Sequence, residues 1–475
     1  MKSFTLISTS FLLAALPSSL AAPTASNEVS ARWFKPDEQP AVKASQFGDI
    51  DTQADDTADD YVVIMAEGET RPWAEIFAEM GYNATEAKTF GTNIRGFTTS
   101  MRKSAGVSMF SLSNVAIVEK NVIYKAAVMP PTSEPQNMPR SLVKESLRSR
   151  SLAKRQNGQR IFIEQSTAPW GLQRISSDRR VDSNGRRDTD LTFKYRFDQA
   201  SGSGVDVYVL DTGLNVNHVD FRLPGGGSRA RSGFSVDGST GANDAQGHGT
   251  HTAGTVGSRT FGVAKNVNII GIKVLGDNGS GSIAGIVAGI DTVISDHRTR
   301  RNQNGFQGSV ISMSLGGDGL PQAMLKALRD ATDAGIHVSV AAGNENQDAC
   351  NTSPAGFSRQ IPIISVGATD IDDARASFSN FGNCVDIHAP GVDIVSTFST
   401  GNTATRSLQG TSMACPHVTG MIADLLVLNP NLRENPTGMK NLVISTAQQG
   451  VIRAGANVPR GGQVLLNSGF PGVPA

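Results

Sequence analysis

Three short stretches of this 475-residue chain hold side chains suited to acyl transfer. Val207-Tyr208-Val209-Leu210-Asp211-Thr212-Gly213 ends an apolar run on a carboxylate, Gly247-His248-Gly249-Thr250-His251 presents an imidazole, and Gly410-Thr411-Ser412-Met413-Ala414 presents a hydroxyl. Taken alone, Asp211 reads equally as a helix or turn cap, and a lone His248 or a lone Ser412 means nothing. Taken together, in the order acid, base, nucleophile, they predict one site. Asp211 would fix the tautomer of His248, His248 would accept the Ser412 proton and return it to a leaving amine, and Ser412 would form the acyl-enzyme. Asn344, in Ala341-Ala342-Gly343-Asn344, offers an amide donor to an oxyanion. The order found in lipases and esterases, nucleophile before acid before histidine, is a different one. His248 and His251 also form an HxxH pair. No third ligand lies nearby in the sequence and no H-E-x-x-H occurs, so His251, like His417, reads as a structural histidine.

These residues need a scaffold that brings them to one edge. Residues 205–210, 269–275, 309–313, 336–342 and 363–366 are short apolar runs without clean alternation, as in strands buried on both faces. Residues 283–296 and 321–334 have helical patterns, with Gly335 just past the second. An apolar helix over 413–428 would place its positive dipole end at Ser412. The alternation predicts an α/β fold with a mostly parallel sheet between helical layers, and sites at the carboxyl ends of strands. Asp211 stands at such an end. Gly279-Ser280-Gly281-Ser282-Ile283-Ala284 fits the dinucleotide pattern G-x-G-x-x-A, but Asp296 is nearer than the usual offset of about 20 residues. The alternative is an exposed extended segment that pairs with a substrate backbone.

Upstream, Lys2, an apolar stretch over 4–16 and Ser19-Leu20-Ala21 predict a signal peptide over 1–21, cut after Ala21, and hence secretion. No later stretch approaches 18 uninterrupted apolar residues, so no membrane span is expected. Residues 22–59 are acidic and are expected to lack order. Residues 60–126 carry strand signals at 61–65, 97–101 and 115–119 and a helix at 73–80, a small α+β unit. Residues 127–160 read as a linker opened by Pro130, Pro131, Pro135 and Pro139. It closes on a basic run with processing expected after Arg155 or Arg160, leaving 161–475 as the main domain. Basic and acidic residues balance at 43 each, so nothing favours nucleic acid or an anionic membrane as partner. Of three cysteines, Cys350 and Cys384 sit in polar, turn-rich sequence and are expected to bond. Closing that loop of roughly 34 residues is worth about 3–4 kcal/mol. Cys415 reads as a small buried hydrophobe.

With these motifs assembled, the chain resembles the subtilisin-like serine proteases, and within them the fungal secreted proteinase K group. The likeness runs from Ala168-Pro169-Trp170-Gly171-Leu172 to about Gly469. It implies a three-layer subtilisin-like fold, a secreted, monomeric endopeptidase, and the acid, base, nucleophile and oxyanion roles for Asp211, His248, Ser412 and Asn344. Substrate would add as a β-strand between Gly279-Ser280-Gly281 and Ser314-Leu315-Gly316. The primary pocket would be walled by the latter and by Ala341, Ala342 and Gly343, where no charge stands, favouring apolar or aromatic P1 residues. Ile283 replaces a bulky aromatic at the outer pocket and leaves P4 open. Residues 60–126 would be an inhibitory propeptide and folding chaperone, making the chain a zymogen. The resemblance also implies calcium at Asp386, with the backbone carbonyls of Ile361 and Ile363; Ser445 stands where a second site has an aspartate. Asn83, Asn278 and Asn351 head glycosylation sequons, of which Asn278, in the cleft, is expected to stay unmodified. A catalytically silent binding protein on the same fold is the competing reading.

Overall fold

The computed structural model describes residues 58–131, 133–146, 160–223, 226–236, 238, 243–453 and 464–469. The signal peptide with Ala21, residues 22–57 of the acidic segment and Arg155 lie outside them; Ala58 and Asp59, expected to lack order, instead begin a strand paired with Arg102 and Met101. The described residues belong to one compact unit.

The first of them form β1 (Ala58–Met65), α1 (Trp73–Glu79), β2 (Lys88–Phe90), β3 (Gly96–Arg102), α2 (Lys103–Phe110) and β4 (Val115–Lys120). The strands make an antiparallel sheet in the order β2-β3-β1-β4. Residues 61–65 of β1 are all buried, and Ile76 and Phe77 of α1 close over the sheet, with Phe77 edge-on to Phe97. Helix α2 escapes sequence reading because Ser104, Gly106 and Ser108 are indifferent helix formers. Its place is set by packing on β4.

The segment expected to be a plain linker has structure. After β5 (Ile123–Ala126) come β6 (Gln136–Asn137) and α3 (Arg140–Ser146). The prolines flank β6 without removing its N–H groups. Met138 and Leu142 anchor the segment in an apolar patch with Val219, Phe261 and Val395.

The main body opens with β7 (Phe162–Ala168), α4 (Trp170–Ile175) and β8 (Phe193–Asp198). Then follow β9 (Val205–Asp211), β10 (Ala230–Ser235), α5 (His248–Gly257), β11 (Asn268–Lys273), β12 (Ser280–Ser282), α6 (Ile283–Arg300), β13 (Gly308–Met313), β14 (Leu315–Asp318) and α7 (Gln322–Asp333). The chain continues through β15 (His337–Ala341), β16 (Thr352–Ser353), β17 (Ile364–Thr369), β18 (Ile387–Pro390), β19 (Ile394–Thr397), β20 (Ala404–Leu408), α8 (Thr411–Leu428), α9 (Pro436–Thr446), β21 (Gln448–Gln449) and β22 (Val464–Leu465). Among the described residues, nine strands form one sheet in the order β10-β11-β9-β13-β15-β17-β18-β22-β21. All its pairs are parallel except β21 with β22.

Strand β9 shows why the central runs read as continuously apolar. Val207 and Val209 enter one core with α5 and α8, while Tyr208 and Leu210 enter a second core with α6 and α7. Helix α8 is the one helix among the described residues long and apolar enough to cross a membrane, and it is buried within this protein core. Cys350 and Cys384 are disulfide-bonded. Cys415 is buried in α8 against the Ser339 hydroxyl, and burial pushes its thiol up.

Buried histidines make the fold acid-sensitive. Burial lowers His251 to about 3, and His337 and His417 each to about 4. Above the unfolded value of about 6.5, both states hold these rings neutral. Below it the unfolded chain takes up protons that the fold cannot, so this stability is present above pH 6.5 and is lost as pH falls toward 3–4. We expect the thermal midpoint to fall between pH 7 and 4.5, and to fall less in His337→Gln. A midpoint that stays level or rises on acidification would contradict this.

Candidate active site

Asp211 ends β9 and His248 begins α5, and their contact closes the distance between them. His248 Nδ1 donates to Asp211 Oδ1 at 2.7 Å, the same oxygen accepts the Thr212 N–H at 2.7 Å, and the Thr252 hydroxyl reaches Oδ2 at 3.3 Å. With Nδ1 committed as donor, Nε2 carries the lone pair, the tautomer a general base needs. A Cβ at residue 249 would lie 2.2 Å from the Gly213 carbonyl oxygen, so only glycine lets the helix and strand ends meet.

Asp244, not singled out from the sequence, ties the two elements together. Its carboxylate accepts the Thr212 hydroxyl at 2.8 Å and the backbone N–H groups of Gly247 and Thr250, both at 2.7 Å. Thr212 Oγ1 in turn accepts the Gly249 N–H at 2.9 Å. An acidic residue just ahead of a helix start was the available signal.

Ser412 lies in the first turn of α8. Its hydroxyl donates to the Ser314 carbonyl at 2.9 Å, and the Ser314 hydroxyl donates back to the Ser412 carbonyl at 2.9 Å. His248 Nε2 is buried without a hydrogen-bond partner. The Ser412 hydroxyl and the His248 imidazole are therefore not hydrogen-bonded to each other. His251 is held by its Nε2 against the carbonyls of Ile394 and Arg406 at 2.9 and 3.1 Å, and His417 by Met413 at 2.8 Å, so neither joins the reacting groups.

Asn344 is clamped by one end. Its Oδ1 accepts the Thr411 N–H and hydroxyl, both at 2.9 Å, while Nδ2 is buried and unpartnered. Gly410 faces the same point: a Cβ there would lie 2.7 Å from the Ala127 carbonyl oxygen, 3.1 Å from Val128 Cα and 3.2 Å from Asn344 Nδ2. The Ala127 oxygen accepts the Ser412 N–H at 3.1 Å. A peptide carbonyl of the chain itself thus sits against the backbone donor of Ser412, with the unpartnered Asn344 amide close by.

The chain reaches that position as an added strand. β5 pairs antiparallel with β12, setting Lys125 opposite Ser280 and Tyr124 opposite Gly281. It pairs antiparallel with β14 on its other side, Ala126 opposite Leu315 and Lys125 opposite Gly316. Beyond the paired residues, the Ala126 N–H donates to Gly279 O at 2.9 Å and the Ala127 N–H to Ser314 O at 3.1 Å. The G-x-G-x-x-A stretch is therefore a strand-pairing edge followed by α6. Gly343, which follows Ala341 and Ala342, is tied to this site by its N–H on the Thr411 hydroxyl at 3.2 Å; one carboxylate, Glu345, stands behind Gly343 and is bonded by the Asn380 amide at 2.7 Å. Tyr124 is fully buried against Gly317, in the apolar cluster that also holds Ile283 and Leu315, with its hydroxyl on Ser353.

Two more contacts hold the small unit to the body. Glu119 accepts the N–H groups of Gln322 and Ala323 at the start of α7, both at 2.9 Å. Asp291 of α6 accepts those of Thr92, Asn93 and Ile94, each at 2.7 Å. Past Ala127, the Met129 N–H donates to Gln409 O at 2.9 Å and β6 pairs with β20. Arg160 is exposed ahead of β7, far along the chain from Ser412 in sequence.

The implied calcium site does not fit the metal. Lys440 Nζ contacts both Asp386 oxygens, at 2.9 and 3.0 Å, and the Ile363 carbonyl at 2.8 Å; the Ile361 carbonyl accepts the Ile363 N–H at 2.8 Å. The sequon asparagines Asn83, Asn278 and Asn351 are exposed, although Thr352 and Ser353 of the last are buried, and Asn278 Oδ1 accepts both the N–H and the hydroxyl of Ser280.

A profile of the subtilase family matches residues 202–464, more than half of the chain, and the chain belongs to that family. It is 45% identical to cerevisin of Saccharomyces cerevisiae over 271 residues, 57% of this chain and 40% of that one. It is 47% identical to the subtilisin-like serine protease Rho m 2.0101 of Rhodotorula mucilaginosa over 272 residues, 57% of this chain and 75% of that one. Proteinase R of Parengyodontium album is 45% identical over 290 residues, 61% of this chain and 67% of its own. The chain thus spans less than half the length of cerevisin. Among solved structures, a cold-adapted subtilisin-like serine proteinase is 40% identical with a TM-score of 0.53, covering 64% of this chain and 99% of that one.

Proposed function

We propose that this chain is a secreted serine endopeptidase made as a self-inhibited precursor. Ser412 is the nucleophile, His248 the base, Asp211 its orienting acid, and the Ser412 N–H with Asn344 Nδ2 the oxyanion donors. The observation that carries this reading is the Ala127 carbonyl lying 3.1 Å from the Ser412 nitrogen, at the end of a strand paired on both sides. Ala127 then stands at P1, and Ala127–Val128 is the first bond cut, ahead of any cut near Arg155 or Arg160. Residues 58–127 act as the inhibitor. The stretch from Val128 to α3 would stay docked on β20 and the apolar patch after the first cut, until the 147–160 stretch is cut as well. The preference at P1 is small or apolar, in keeping with neutral walls and Ala127 itself.

On this numbering Tyr124 is the P4 residue, in the space that Ile283 leaves. Burying such a ring contributes about 1.5–3 kcal/mol, so a peptide anilide of sequence Ile-Tyr-Lys-Ala-Ala is expected to be hydrolysed after its last alanine. Its Tyr→Ala counterpart should show kcat/KM lower by roughly 10–100-fold. Absence of hydrolysis by the processed protein would overturn the endopeptidase reading, and equal rates would overturn the P4 assignment.

A further inference from the structure

The carboxylate of Asp386 is buried, with a side-chain exposure of 5%, and a lone carboxylate in that setting needs a cation. Helix α9 supplies one. Pro436 opens the helix and Asn435 caps it, accepting the Gly438 N–H at 2.8 Å. Lys440, one turn in, is thereby aimed at the start of β17. Its ammonium group has three protons to donate. The Ser358 carbonyl takes one at 2.8 Å, the Ile363 carbonyl another at 2.8 Å, and the two Asp386 oxygens straddle the third. The Ser365 N–H adds a bond to Asp386 Oδ2 at 2.9 Å.

Calcium asks for something else. It takes about six to eight oxygens at about 2.3–2.6 Å. Here one carboxylate and two carbonyls converge, and a nitrogen already sits at their focus. No group of three or more acidic, histidine or cysteine side chains able to hold a metal occurs among the described residues. A divalent ion could enter only by expelling Lys440, leaving an ammonium group to be rehoused. We propose that the Lys440 ammonium is a built-in replacement for calcium at this position, so that the fold holds Asp386 and the starts of β17 and β18 together without metal. The ion becomes part of the polypeptide, and its retention no longer depends on calcium outside.

The test is thermal unfolding of the full chain carrying Ser412→Ala, which removes self-digestion and makes the readout independent of catalysis. Its midpoint is expected to be the same in a chelator and in millimolar calcium. Adding Lys440→Ala should lower the midpoint in chelator by roughly 5–10 °C, because Asp386 is left buried and unpaired; calcium should then raise it, and should fail to do so once Asp386→Asn is also present. A calcium-raised midpoint in the parent that Asp386→Asn abolishes would overturn the proposal, as would a Lys440→Ala protein that unfolds like its parent in chelator. If Lys440→Ala does not accumulate as folded protein, the parent decides alone: indifference to calcium supports the proposal and stabilisation by calcium overturns it.

Discussion

Ser412→Ala is expected to give a full-length precursor that never cuts itself. The substitution removes one oxygen whose hydrogen bond is to the Ser314 carbonyl. It leaves the Ser412 N–H bond to Ala127, the strand pairing of β5 and the buried helix α8 in place. Folding should therefore be unaffected while the chemistry stops. Loss of a nucleophile of this kind costs on the order of 10⁶ in kcat. N-terminal sequencing after incubation should find Val128 as the first new terminus in the parent chain and no such terminus in the variant. A parent cut first at Arg155 or Arg160, with Ala127–Val128 intact, would show that the bond facing Ser412 is held for inhibition and not for reaction.

Asn344→Ala should slow peptide hydrolysis by about 10²–10³ in kcat with little change in KM. The reason is in how the amide is mounted. Thr411 fixes Oδ1 with two hydrogen bonds, while Nδ2 is left buried and unpaired beside the Ala127 carbonyl. A donor left unsatisfied in the resting state gains its bond when negative charge develops on that oxygen, so its contribution falls on the transition state. The pairing of β5 with Gly279, Ser314 and Gly316, which we propose substrate repeats, does not involve the amide, which is why KM should hold. Steady-state kinetics on the processed protein reads both constants. A change of less than tenfold in kcat, or a loss confined to KM, would remove Asn344 from the oxyanion role.

How legible each feature was in the sequence follows from where its partners lie. Asp211, His248, Ser412 and Asn344 stand in compact motifs at the ends of strands or the starts of helices, so local pattern finds both the groups and the elements that carry them. The strands with both faces buried were visible for the same reason: β9 sends alternate side chains into two apolar cores. β5 was not visible. Ile123-Tyr124-Lys125-Ala126 has no pattern of its own, and its pairing partners in β12 and β14 lie more than 150 residues away. The fate of Asp386 was hidden in a similar way. Its carboxylate suggested a metal by resemblance, but the group that meets it comes from a helix 54 residues on, and the other bonds of that lysine are to backbone carbonyls, which leave no mark on a sequence. Asp244 carried a signal that could have been used, an acid placed just before the helix that begins at His248.

The most direct measurement is mapping the adduct formed by a fluorophosphonate on the processed protein. A phosphonylated hydroxyl requires a serine made nucleophilic by a neighbouring base, and the buried, unpartnered Nε2 of His248 is the base we propose. A single adduct on the peptide containing Ser412, lost in His248→Ala, is the predicted result. A protein that hydrolyses peptides yet carries no adduct, or carries it on another residue, would contradict the assignment of Ser412, His248 and Asp211 as one reacting set.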